Sequence, residues 1–379
     1  MTDPTIRLLH ELIEVNSVNP TLAPGGAGEG AIADRIAQDM RSFGMDVEVR
    51  EAAPERPNVI GVLERSSGGP SLMLCGHTDT VGVAGMGYPF VPVERDGRIH
   101  GRGAQDMKGG LAAMLGAARK IAESGGPTAG RLILAAVIDE EHASLGADAL
   151  VREWRADAAV IAEPTDLVIA VAHKGFSWVE VTTRGRAAHG SRPEEGRDAI
   201  LRMGRFLSRL DDLERELRAR SPRPPLGTGS LHASLIEGGR ELSTYPDRCT
   251  MKLERRTLTG EPPGVALEEV EAILSALRAE DPSLEAEARE LFRRPAYELA
   301  EEHPLVQAME ASVSACGLRP SRGAMTFWTD AAVLGEAGIP SVIFGPGGAG
   351  LHGIDEYVRV AEVLACREVF VSLIRSWCA

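Results

Sequence analysis

Apolar residues recur at helical spacing from Thr5 to Glu14 and again from Ala31 to Phe43, and the segment "MDVEVR" that follows alternates like a strand. Helix and strand therefore alternate from the start. Three later segments, "SLMLCGHTDTV", "LILAAVIDEE" and "DAAVIAEPTD", are apolar runs that end abruptly in polar residues. Such runs predict strands covered on both faces, as in parallel sheets. Between the first two lies "GRGAQDMKGGLAAMLGAARKIAESGG", a glycine-rich turn opening a helix, with Asp106 near the helix start. Alternating helices and buried strands predict an α/β layer fold with a mostly parallel sheet.

The rhythm changes near Gly175. "FSWVEVTTRGRAA" alternates as a half-exposed antiparallel strand does, "DAILRMGRFLSRLDDLERELRAR" is a long amphipathic helix, and "CTMKLERRTL" alternates again before a second helix over Leu267 to Ala279. After about Leu291 the α/β character returns, with "HPLVQAMEASVSACG" as a helix and "PSVIFGPG" as an apolar strand ending in glycines. The pattern predicts one discontinuous α/β domain, residues 1–174 and 291–379, interrupted by a compact α+β insert over 175–290. No internal repeat is visible, and "SPRPPLGTG" reads as a loose proline-rich loop.

Composition narrows the function. The chain has 379 residues, 44% of them hydrophobic, enough for two cores. A formal net charge of −14 and only 4% aromatic residues argue against nucleic acid, which rewards basic patches and stacking rings. No apolar stretch approaches the ~20 residues that span a bilayer. The start "MTDPTIRLLHELIEVNS" lacks the basic region, apolar core and cleavage site of a leader, and the five cysteines show no CxxC spacing. The expectation is a cytoplasmic protein that acts on a small polar molecule. Arginine greatly outnumbers lysine, for which the sequence offers no functional account.

Ligands of open α/β sheets bind at the carboxyl ends of the strands. The predicted strand ends carry His77 and Asp79, then Glu140 and Glu141, then Glu163, then His352 in "GPGGAGLHGIDEY", while Asp106 sits on the glycine-rich turn. Taken singly, each residue has a plain reading: Asp106 as a helix cap, Glu163 as the start of a turn before Pro164, "DEE" as a solvated helix start. Taken together they differ, because several acids at one edge repel and cannot share a dry cleft in their charged forms. Two divalent cations would remove that repulsion, and histidines with carboxylates are the donor set of a two-metal hydrolytic site, zinc above all. His77 and Asp79 lie two apart on an extended segment, so the carboxylate can orient the ring. Glu140 and Glu141 are adjacent and point apart, so one can hold metal while the other takes a proton.

"GHTDTV", "GRGAQDMKGG", "DEEHASLGA", "AEPTD" and "GPGGAGLHGIDEYV" resemble, in order and spacing, the motifs of the zinc-dependent amidohydrolases and peptidases that include acetylornithine deacetylase, succinyl-diaminopimelate desuccinylase and glutamate carboxypeptidase. The resemblance covers essentially the whole chain. It implies that His77 and Glu163 bind one metal, that Glu141 and His352 bind the other, and that Asp106 bridges both and is followed by a cis peptide. It implies zinc, with cobalt or manganese as alternatives, Glu140 as general base and Asp79 as the residue that orients His77. The insert resembles a lid and dimerisation domain. In it, "GRAAHGSRPEEGRDAI" matches a segment whose histidine, here His189, serves a partner subunit's site, and Arg256 in "LERRTLTGE" matches an arginine that grips a substrate carboxylate. From the residues alone, His189 also suits a cap of the helix near Asp198 or a pair with Glu194, and the plain alternative for Arg256 is a surface ion pair.

The chain also departs from that pattern. Ser243 in "EGGRELSTYPDRC" stands where an asparagine is usual and offers a hydrogen bond of shorter reach; Thr259 stands for a proline, and His142 follows the glutamate pair. These departures touch no expected metal ligand and bear on the substrate. The expected activity is hydrolysis of the amide of an N-acyl amino acid by a homodimer, with a carboxypeptidase or dipeptidase as one rival and a non-catalytic metal- or ligand-binding protein as the other.

Overall fold

The computed structural model describes residues 3–64 and 68–379. The chain forms two compact units, one of Met1–Ala172, Leu299–Ala324 and Thr329–Ala379, the other of His173–Glu298 with Met325–Trp328.

In the larger unit the sheet runs, in spatial order, Asp46–Ala53, Arg56–Glu64, Arg131–Val137, Ser71–His77, Ala158–Ile161 and Ser341–Ile343. The last four strands are mutually parallel. The first two form an antiparallel hairpin that joins the sheet antiparallel at Arg131–Val137, so the sheet is mixed at its edge and parallel where the acids emerge. Every residue of Ser71–His77 and of Ala158–Ile161 is buried, as expected of strands covered on both faces. Register aligns His77 with Val137, and Cys75 with Ile161. The parallel strands thus release His77, the Asp139–Glu141 segment and Glu163 at one edge.

The helix Gly109–Glu123 packs against the helix Val360–Trp377 and against the strand Ser71–His77. Its first ten residues, through Ala118, are all buried, and they are mostly glycine and alanine. Close approach requires this: a Cβ on Gly110 would lie 1.9 Å from the carbonyl oxygen of Ala162, the residue before Glu163. Its glycine therefore sets how near the helix comes to the strand end. A separate small antiparallel sheet contains Val93–Arg95, Arg98–His100, Tyr357–Arg359 and Gly348–Ala349, and the connection between the last two carries His352.

The smaller unit is an antiparallel sheet in the order Ser230–Gly238, Arg248–Thr257, Gly175–Arg184 and Ala286–Arg294, with the helices Ala199–Ala219 and Val265–Glu280. Its core gathers Val179, Val181, Met203, Phe206, Met251 and Leu274 from sheet and helices. Two of its strands carry little sequence signal. Ser230–Gly238 is an edge strand exposed along most of its length, and Ala286–Arg294, "AEARELFRR", is charged at most positions. The latter pairs with Gly175–Arg184 and runs past Leu291, where the sequence pattern places the return to the first domain; the second unit instead extends to Glu298.

His173 is the first residue of this unit. Its ring is buried, 5.8 Å from the Tyr297 ring and 5.9 Å from that of Trp328, and Nδ1 lies 2.9 Å from the Lys174 carbonyl. Burial disfavours the imidazolium and brings its pKa down to about 4 from 6.5. The unfolded chain therefore takes up this proton before the folded chain does. Its contribution is complete above pH 6.5 and is lost as pH falls toward 4, by roughly 3 kcal/mol in all. Urea midpoints measured by tryptophan fluorescence should fall over that interval, and a His173→Leu variant should show a visibly flatter pH dependence there.

Candidate metal centre

Asp106 lies in an irregular turn, Ala104–Lys108, and the peptide bond that follows it is cis. Its two carboxylate oxygens face two different histidines. Oδ1 is 3.0 Å from His77 Nε2, and Oδ2 is 3.4 Å from His352 Nε2. Around His77 Nε2 the Glu163 carboxylate lies at 3.6 Å and that of Glu140 at 3.9 Å. Around His352 Nε2 the Glu141 carboxylate lies at 3.0 Å. Two triads result, His77–Asp106–Glu163 and Asp106–Glu141–His352, each with donor atoms within 4.8 Å of one another, and Asp106 belongs to both.

Two further observations test whether these residues suit cations. His77 Nδ1 is 2.9 Å from the main-chain carbonyl of Asp79, an acceptor only, so Nδ1 carries the proton. In the neutral ring the lone pair of Nε2 then points at carboxylate oxygens, an arrangement that needs a proton or a metal between them. Secondly, Glu141 Oε1 is buried without a hydrogen-bond partner among the described residues. Burial pushes the Glu163 and Glu140 carboxyls well above the usual range and Glu141 up to about 7, whereas contacts with Asp106 and Glu141 raise His352 to about 10. Asp106, despite burial, is held low by the hydrogen bonds from His352 and His77. Without added positive charge the acids would have to stay protonated or draw on the two histidines. The donor set of imidazole nitrogen and carboxylate oxygen fits divalent zinc, cobalt or manganese.

Neighbouring acids of a second kind hold the backbone. Asp79 is buried; its Oδ1 accepts from the Glu140 amide at 3.1 Å and its Oδ2 from the Glu141 amide at 3.2 Å. Its carboxylate is 3.5 Å from His77 Nδ1, so the ring is oriented chiefly by the Asp79 carbonyl. Burial opposes its charge, yet the His77 ring holds its carboxyl below the ordinary value. Glu356, to which the sequence pattern does not point, accepts from the amides of Gln105 at 2.9 Å, Asp106 at 3.1 Å and Gly103 at 3.0 Å, and from Arg102 at 2.7 Å. One carboxylate thus fixes the Asp106 turn, from a position only four residues past His352. Its place in "GIDEY" is the one signal the sequence carries for it.

The remaining expected residues belong to the smaller unit. His189 is exposed; its Nδ1 lies 2.7 Å from the Ser191 hydroxyl and accepts from the Ser191 amide at 3.2 Å. It neither caps the helix, a role taken by Asp198, nor pairs with Glu194. Ser243 lies beside it, its carbonyl accepting from the Gly190 amide at 2.8 Å. Arg256 donates to Glu254 at 2.6 Å and stands over the Phe176 ring at 5.5 Å, so in this structure it has a carboxylate partner within its own sheet.

Known proteins share this arrangement of sequence and fold. The family model of peptidase family M20/M25/M40 matches residues 73–376. An acetylornithine deacetylase from Myxococcus xanthus is 32% identical over 337 residues, 86% of this chain and 86% of that protein. The N-formyl-4-amino-5-aminomethyl-2-methylpyrimidine deformylase of Bacillus subtilis is 29% identical over 95% of this chain and 92% of its own length. Among solved structures, a tripeptidase from Staphylococcus aureus superposes with a TM-score of 0.83 at 21% identity, covering 99% of this chain and 98% of that one, and so shares the fold. The chain belongs to peptidase family M20/M25/M40, hydrolases of amide and peptide bonds.

Proposed function

We propose that the chain hydrolyses the amide bond of an N-acyl amino acid at a pair of divalent cations, zinc by donor set. The observation that carries this reading is Asp106, whose two oxygens each face a different histidine, with a glutamate beside each. On this reading His77 and Glu163 hold one ion, Glu141 and His352 the other, and Asp106 both. Bound ions of this kind polarise a carbonyl and make a water acidic enough to attack it.

The chain's own groups do the rest. The carboxylate of Glu140 lies 3.9 Å from His77 Nε2, and its amide is fixed by Asp79. On this reading it takes the proton of the attacking water and returns it to the leaving nitrogen, a role that its position beside His77 supports. In His189, Nδ1 accepts from the Ser191 amide, so the neutral ring carries its proton on Nε2, the tautomer that can donate to a developing oxyanion. Arg256 is the candidate partner of the substrate carboxylate, in exchange for Glu254, and the Ser243 hydroxyl is a second donor close to His189. The two relatives named above by sequence identity are a deacetylase and a deformylase, whereas the tripeptidase, at 21% identity, shares the fold alone, which favours deacylation over peptide cleavage.

We also assign the smaller unit as the lid and as the surface of a two-fold homodimer. Its edge strand Ser230–Gly238 leaves main-chain groups unpaired on one side and exposes Leu235 and Ile236 at 64% and 56%. An apolar strand edge of this kind invites pairing with a second copy. No helix among the described residues is long and apolar enough to cross a membrane, and the five cysteines are unpaired, which suits a reducing compartment such as the cytoplasm.

Amine release should be seen with N-acetyl, N-formyl or N-succinyl amino acids in preference to dipeptides, and it should vanish on adding a chelator and return with Zn²⁺. Activity on dipeptides alone would replace the deacylase reading, and activity indifferent to chelator would remove the metals from it. Glu140→Gln should retain the metal content of the parent while kcat falls by roughly 10²–10⁴-fold. Metal loss in that variant would make Glu140 a ligand instead. For the dimer, a His189→Ala chain mixed with a Glu140→Gln chain tests service between subunits. If His189 acts on the neighbouring site, mixed dimers hold one intact site, and activity should recover to roughly a quarter of the parent on statistical mixing. A mixture no more active than its two components would confine His189 to its own subunit or to no role.

A further inference from the structure

Behind the glutamate pair lies a buried network that the reaction itself does not use. Asp139 precedes Glu140 with φ of 67°, a left-handed conformation that costs a non-glycine residue energy and persists only when its surroundings enforce it. Its carbonyl accepts from the amides of Ala143 at 3.0 Å and Ser144 at 2.5 Å, closing the turn after the strand. Its carboxylate Oδ1 accepts from Arg56 Nη2 at 2.8 Å and from Asn19 Nδ2 at 3.0 Å. Arg56 is in turn held by Glu29, whose oxygens accept at 2.7 and 2.5 Å.

Asn19 joins this network to the site. Its Nδ2 donates to Asp79 Oδ2 at 2.8 Å as well as to Asp139. Its Oδ1 accepts from the amides of Thr21 at 2.9 Å and Leu22 at 3.3 Å. Those donors are main-chain N–H groups, so the oxygen must face them and the NH₂ must face the acids; the amide has one permitted orientation. Asn19, Asp79 and Asp139 are all buried. One amide group therefore clamps two buried carboxylates, one of which carries the amides of Glu140 and Glu141 while the other sets the strained residue before them.

We propose that Asn19, backed by Arg56, is a positioning residue for the reaction: its amide fixes the backbone of Asp139–Glu141 and thereby keeps the two neighbouring glutamates on their separate courses. The assignment of reaction roles to Glu140 and Glu141 rests on the function proposed above; the clamp on their backbone does not. Both N–H bonds of the Asn19 amide go to Asp79 and Asp139, so it acts on the glutamates through those two residues. Replacing it with leucine keeps the volume and removes both donors. Replacing it with aspartate puts a third acceptor where two carboxylates need a donor.

Two readouts on the full chain separate positioning from general damage. Hydrogen–deuterium exchange by mass spectrometry, on metal-free protein, reads the amides of Glu140 and Glu141, with the helix Gly109–Glu123 as internal control. In Asn19→Leu these two amides should exchange about tenfold faster or more while the control helix is unchanged. Steady-state kinetics of the Zn²⁺-loaded enzyme should show kcat lowered by roughly 10–100-fold with KM within about twofold, the size expected of groups that orient others. Should Asn19→Leu fail to fold, Arg56→Lys keeps the charge and loses the two-nitrogen fork. It should speed exchange at the same two amides and lower kcat by roughly threefold to tenfold. Parent-like exchange at Glu140 and Glu141 in a folded variant overturns the proposal, as does a rise in KM with kcat unchanged, which would make Asn19 a substrate contact. If the parent releases no amine from any N-acyl amino acid or peptide, the function proposed above has failed, and exchange alone decides the clamp.

Discussion

Negative charge at the ends of buried strands is the constraint to which the rest of the larger unit responds. The parallel strands deliver His77, Glu140, Glu141 and Glu163 to one edge, and Asp106 is brought to the same place by a glycine-rich turn. A carboxylate removed from water must be compensated by hydrogen bonds or by positive charge, since leaving it bare costs about several kcal/mol. The surrounding sequence can be read as a set of answers to that cost. Glu356 and Asp79 are satisfied by backbone amides, Glu29 and the Oδ1 of Asp139 by Arg56, and the Asp106 oxygens by two histidines.

The same constraint governs the packing. Glycine at position 110 permits the helix to rest on the Ala162 carbonyl, and a residue with a side chain would push the helix off the strand end that carries Glu163. The left-handed conformation of His352, with φ of 57°, turns its loop so that the ring meets Asp106 and Glu141 although the side chain is more than half exposed. At the centre, left-handed backbone thus occurs at the ligand candidate His352 and at Asp139, the residue before the glutamate pair.

What is legible in the sequence follows from range and period. Strands buried on both faces announce themselves as apolar runs, so the residues at their ends stand out in the pattern itself, and the fold brings His77, Asp106, Glu140, Glu141, Glu163 and His352 together. The edge strands Ser230–Gly238 and Ala286–Arg294 are not legible: the first is exposed along most of its length, and in the second burial alternates but polarity does not follow it, with Glu290 and Arg294 half-buried and Leu291 exposed. Asn19, Arg56 and Glu356 are not legible either. Their partners lie up to 254 residues away in the chain, and they act on main-chain groups or through other acids, which leave no pattern in the sequence of side chains. Arg256 is legible as a residue but not as a contact: Glu254, two positions earlier on the same strand face, already occupies it.

The acids around the centre divide by what they accept. Asp79, Asp139 and Glu356 each receive two or more donors from amides, asparagine or arginine, and none of them belongs to either triad. Glu141, Glu163 and Asp106 face histidine nitrogens, and all three are members. A carboxylate that already accepts two or more N–H donors has less net attraction left for a cation, whereas one met by a titratable ring can exchange that ring's proton for a metal. Glu140 stands apart from both groups, near His77 but outside the triads, with its position set through its backbone amide. That placement supports the proton-carrying role proposed for Glu140, because a residue held by its main chain leaves its carboxylate to change its protonation state.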